Sequence, residues 1–145
     1  MFTYDATDFI IDINGYYAPD DGQNGLFYYP VTQCRASDST VNGGQYADES
    51  TRTIPIPTAP GCTGIPATAK GYALNVTALP GGNPMPFLTG YPTGQSQPNA
   101  SILNAFQGQI VTNSAIIPAG TNGAINIYAY RRTGVVVEVS GYFGR

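Results

Sequence analysis

An amphipathic segment near the start of the chain is written again near its end. Thr7-Asp8-Phe9-Ile10-Ile11-Asp12-Ile13-Asn14-Gly15-Tyr16-Tyr17 aligns without gaps to Thr133-Gly134-Val135-Val136-Val137-Glu138-Val139-Ser140-Gly141-Tyr142-Phe143 at an offset of 126 residues. In an extended chain Phe9, Ile11 and Ile13 share one face, as do their counterparts Val135, Val137 and Val139. Asp12 and Glu138 take the opposite face. Each copy ends in Gly-Tyr-aromatic: Gly15-Tyr16-Tyr17 and Gly141-Tyr142-Phe143. A chain that holds one domain and a second copy of its closing strand carries a spare strand, and the spare can enter a neighbouring molecule.

The same period of two runs through the rest of the chain, punctuated by Gly, Pro and Asn. Strands are predicted over 8–17, 26–32, 50–57, 68–79, 86–91, 101–106, 109–117, 123–131 and 134–143. Turn-rich segments such as Gly81-Gly82-Asn83-Pro84 separate them, and no segment has a helical period. The expected fold is all-β: an antiparallel two-sheet sandwich or jelly roll of about nine strands, completed by an exchanged N-terminal strand. About 145 residues suffices for a single core. The expected division is an arm over 1–19, a linker over 20–25 and a β-sandwich domain over 26–145.

A sandwich that lacked one strand would leave unpaired backbone and open apolar pockets, which an arriving strand would cover. Phe9, Ile10, Ile11, Ile13, Tyr16 and Tyr17 are the candidate joint residues, and Val135, Val137, Val139, Tyr142 and Phe143 mark the related C-terminal strand. Three buried aliphatic or aromatic side chains plus Tyr16 would supply on the order of 6 to 10 kcal/mol before ordering costs. Because arm and groove are different surfaces, the contact is heterologous and propagates into a filament. The competing arrangement keeps the first strand in the chain's own sheet.

Composition narrows the partners. Charged residues are 10% of the chain, the net charge is -3, and the six Lys and Arg are scattered, so no basic stripe exists to neutralise phosphates and nucleic acid is not an expected partner. No run of about 18 apolar residues predicts a membrane span. Residues 1–20 lack the pattern of a secretory leader, so a secreted form would be the mature chain or one whose leader is missing.

The two cysteines, Cys34 and Cys62, lie in loop-like contexts with no His anywhere to complete a zinc site. A disulfide is expected, with two separate buried thiols as the alternative, and with it an oxidising, extracellular or cell-surface location. With no His and one Lys, nucleophilic catalysis lacks its usual base, and neither enzymatic activity nor a cofactor is expected. Asp48-Glu49 and Asp20-Asp21 read as solvated turns rather than a glycosidase pair. Asp20, Asp21 and Asn24 are the one cluster of oxygen donors that could suit calcium, but their order does not match an EF-hand loop, and no metal site is assigned.

Two sequons, Asn75-Val76-Thr77 and Asn99-Ala100-Ser101, make Asn75 and Asn99 candidate glycosylation sites; Asn75 should face outward if Leu74 and Val76 face the core. Eleven Tyr and six Phe also allow a different function, a secreted carbohydrate-binding or adhesin module with Tyr28, Tyr29, Tyr46 and Tyr91 as a stacking platform.

Several motifs together are similar to those of a known family. Asp12-Ile13-Asn14-Gly15-Tyr16-Tyr17-Ala18-Pro19, Phe27-Tyr28-Tyr29-Pro30-Val31-Thr32-Gln33-Cys34-Arg35, Gly64-Ile65-Pro66-Ala67-Thr68-Ala69, Tyr72-Ala73-Leu74-Asn75-Val76-Thr77 and Leu103-Asn104-Ala105-Phe106 resemble a β-rich module of large secreted proteins of environmental bacteria. That module recurs in tandem, each copy ending in a strand like the one that begins this chain. The resemblance carries over no activity and implies a secreted structural module, its tandem linkage replaced by a strand shared between chains, as in donor-strand-complemented pilins. The family tends to carry Asp-Thr-Arg after its Cys-Arg; Asp38-Ser39-Thr40 lacks that Arg, which leaves any salt bridge from this loop an open question.

Overall fold

Eight strands build two four-stranded antiparallel sheets in the computed structural model, which describes residues 6, 11, 13, 15–20 and 22–145. They are β1 (Phe27–Asp38), β2 (Ser50–Pro55), β3 (Gly71–Leu79), β4 (Met85–Pro92), β5 (Leu103–Ala105), β6 (Val111–Pro118), β7 (Ala124–Ala129) and β8 (Gly134–Gly144). One sheet has the order β1-β8-β3-β6 and the other β2-β7-β4-β5. The pairings nest: β4 with β5, β3 with β6, β2 with β7 and β1 with β8. A long hairpin rolled over on itself has this connectivity, and it makes the fold a jelly roll.

Alternation explains which residues meet between the sheets. Tyr72, Leu74, Val76 and Ala78 of β3 point inward beside Val135, Val137 and Val139 of β8, and face Leu88 of β4 and Ile125 and Ile127 of β7 across the sandwich. The Tyr72 hydroxyl, buried with its ring, donates to the Gly123 carbonyl at 2.8 Å. Among the described residues no buried side-chain polar atom lacks a partner. Two short 3-10 turns, Ile56–Thr58 and Thr121–Gly123, are their only helical segments.

Eight of the expected strands are therefore present, with ends shifted by a few residues; the largest change is at β1, which continues through Cys34 to Asp38. Of the expected first strand over 8–17, Ile11, Ile13 and residues 15–17 lie outside any strand pairing. Phe9, Ile10 and the other members of that segment lie outside the described residues. Among the described residues the buried core lies within these eight strands and the loops between them, and a ninth strand would extend an edge of one of the two sheets.

Candidate functional site

The Gly-Tyr-aromatic ending of β8 has a structural cause. Antiparallel pairing sets Tyr28 opposite Phe143, Tyr29 opposite Tyr142 and Pro30 opposite Gly141. Tyr29 stacks on Tyr142 with ring centroids 5.1 Å apart, and Tyr28 tilts against Phe143 at 5.3 Å. The Tyr28 ring crosses Gly141 so closely that a Cβ there would overlap it, and its hydroxyl donates to the Ser140 carbonyl at 3.1 Å. Glycine is the residue that lets an aromatic ring lie flat on a neighbouring strand. Tyr142 and Phe143 thus serve the β1–β8 pair, while Val135, Val137 and Val139 are buried in the core.

The matching residues of the first segment have no such surroundings. Ile11, Ile13, Tyr16 and Tyr17 are exposed by 67%, 87%, 89% and 83%. Four large apolar side chains in one short segment stand in water, although the sequence gives them the pattern that is buried in β8. Single exposed apolar residues are ordinary, but a clustered set marks an interaction surface. Residues 22–25 of the linker are exposed, and the Gly25 carbonyl accepts from the Arg145 guanidinium at 3.1 Å, which ties the start of the domain to the end of β8.

Cys34 and Cys62 form a disulfide with Cα atoms 5.1 Å apart. It pins the loop after β2 to β1, and Gly61 of that loop sits on the Arg35 carbonyl, where no Cβ would fit. This covalent pair fits an oxidising compartment, and among the described residues no helix is long and apolar enough to cross a membrane. The open question of a salt bridge at Asp38 is answered: without the family's Arg, Arg35 supplies the pair, reaching Asp38 at 2.8 Å and Glu138 across the strand pair at 3.2 Å. The hydrogen bond that Arg35 donates to Glu138 raises the Arg35 pKa further, and hydrogen bonds from Thr40, with Arg35 beside it, hold the Asp38 carboxyl below its ordinary value.

The candidate platform does not assemble. Tyr46 is buried under the Arg52 guanidinium, 4.4 Å from its ring centroid, and Tyr91 is buried as well, so only Tyr28 and Tyr29 remain accessible. Tyr46 lies in a Gly-rich stretch without alternation, and its burial comes from a backbone bridge to Thr133. A different aromatic group lies on the outer face of the second sheet, where Phe87 stacks on Tyr130 at 4.9 Å and approaches Tyr128 at 5.9 Å. Asn75 does face outward, half-buried between strands, and accepts from Ser114 at 2.8 Å; Asn99 lies in an exposed loop. Asp20 accepts the Gly22 amide at 2.9 Å, and Asp21 lies outside the described residues.

A cleft of about 530 Å³ opens between β5 and β6, the edge strands of the two sheets, lined among others by Ile102, Leu103, Phe106, Val111 and Asn113. Phe106 of this lining is 66% exposed, and Ile110, which precedes Val111 in the chain, is 67% exposed. Leu103 and Phe106 stand in the Leu103-Asn104-Ala105-Phe106 motif quoted above, whereas Ile110 was not singled out; its signal is a large apolar side chain beside the turn at Gly108, whose backbone lies against Gly82.

No known protein-family model and no curated protein matches this chain.

Proposed function

We propose that this chain is a structural subunit of an extracellular filament, joined head to tail by lending its N-terminal segment to a neighbour. The observation that carries the proposal is the contrast between two copies of one pattern: Val135, Val137 and Val139 buried in β8, Ile11 and Ile13 in water. Burying those side chains on another subunit removes the apolar area that the isolated chain leaves exposed. The resemblance to tandem secreted modules supports the same reading, as does the disulfide. Sedimentation velocity tests it. The full chain should form large assemblies and the Ile11→Asp, Ile13→Asp variant should remain a monomer. A full chain that is monomeric at all concentrations would contradict the proposal.

A second reading, a carbohydrate-binding or adhesin module, is favoured by the Phe87, Tyr128 and Tyr130 group, with Thr51, Thr53 and Asn126 beside it on the outer face of β2 and β7. Glycan-array binding that Tyr128→Ala abolishes would select this reading.

A further inference from the structure

Resting on the strand-lending proposal, we infer that the receiving surface is the free edge of β6 together with the β5–β6 cleft, and that its occupant is residues 7–17 of a second copy.

The jelly roll offers four edges: β1 and β6 in one sheet, β2 and β5 in the other. Three are poorly suited to a new strand. β1 contains Pro30, which has no N–H to lend, its register breaks twice, and the disulfide holds the Gly61 loop against it. β2 is shorter, at six residues, and its Arg52 side chain holds the preceding loop to it through the Gly44 and Gln45 carbonyls at 2.8 and 2.6 Å. β5 spans three residues. β6 runs for eight residues, Val111–Pro118, and among the described residues has β3 as its one ladder partner, with Thr112, Asn113 and Ser114 exposed.

The side chains fit as well as the backbone. Along β6 the buried Ala115 and Ile117 define the inward face, which Asn113 and Val111 continue at the open end. Asn113 donates to the Ile102 carbonyl at 2.7 Å, a single link across an otherwise open mouth. A strand added to β6 would place alternate side chains over this mouth, against Ile102, Phe106 and Val111. The arm has apolar residues at that alternation, Ile11 and Ile13 with Phe9 in sequence, and acidic Asp12 on the other face.

Position within the sheet explains why the joint propagates. The arm enters the domain through β1, at the opposite edge of the same sheet from β6. Donor at one edge and acceptor at the other make a heterologous contact, the kind that builds an open chain of subunits.

Cross-linking tests the assignment in the full-length protein. Asp12→Cys is combined in one chain with Thr112→Cys on β6, or in another with Thr32→Cys on β1; all native cysteines are already paired. Treatment with a short bis-maleimide should give a covalent ladder of dimers, trimers and higher species from the Thr112→Cys chain, and loss of that ladder from the Thr32→Cys chain. A ladder from the Thr32→Cys chain alone would move the joint to β1 and overturn the cleft while leaving strand lending intact. Assemblies without a ladder from either chain would also overturn the cleft. A protein that sediments as a monomer, unsubstituted as well as with either cysteine pair, would remove strand lending itself.

Discussion

The Tyr28 ring lies flat on Gly141, and this contact fixes how the last strand of the jelly roll meets the first. Gly141→Ala puts a Cβ into that ring and should destabilise the domain by about 1 to 3 kcal/mol. Tyr28→Ala opens the space, so the double variant should be less destabilised than the sum of the two single changes. Urea unfolding of the four proteins measures the coupling, and additive losses would show that the two residues act independently.

The disulfide joins positions 28 apart and holds an irregular loop to an edge strand. Replacing both cysteines by Ala should cost about 3 kcal/mol on the chain-entropy account. The far-ultraviolet circular dichroism should remain that of a β protein, because the ladders of both sheets form without the bridge. The midpoint of denaturant unfolding reports the loss.

Burial pushes the Tyr46 and Tyr72 hydroxyls up from 10.0 to about 12 each. A folded-state pKa above the unfolded value means that the folded form holds its proton more tightly. The associated stability is complete below pH about 10 and is lost as pH rises toward about 12. Thermal midpoints should be flat below that window and fall within it. The Tyr72→Phe variant should lose part of the slope, along with the hydrogen bond to Gly123.

Val137 and Ile11 occupy matching positions in the two sequence copies but opposite environments, one buried and one exposed. Val137→Ala should lower domain stability by about 1 to 3 kcal/mol through the methyl groups and cavity it leaves. Ile11→Ala should leave the unfolding midpoint of the monomer within about 0.5 kcal/mol of the original and act on assembly alone. Unfolding and sedimentation on the same two variants separate the roles.

Alternation made the eight strands legible, since a half-buried strand needs one apolar face whatever its partner. It did not reveal the nesting of β1 with β8 and β2 with β7, because the period says which way a side chain points and nothing about which strand lies beside it. The disulfide was readable because two cysteines allow one pairing. Tyr46 was misassigned to the surface because its burial depends on an isolated bridge and an arginine from β2, neither written in its neighbours. The Asp38 ion pair stayed open in the sequence because its partner, Arg35, precedes it on the same strand and is not the Arg of the family motif. The β5–β6 cleft arises where two sheet edges diverge, a property of the rolled topology rather than of any segment.

Negative-stain electron microscopy of the full chain beside the chain lacking residues 1–19 tests the central claim most directly. The account predicts filaments from the full chain and dispersed particles from the truncated one, with both retaining the thermal unfolding of an intact jelly roll. Dispersed particles from both would contradict it.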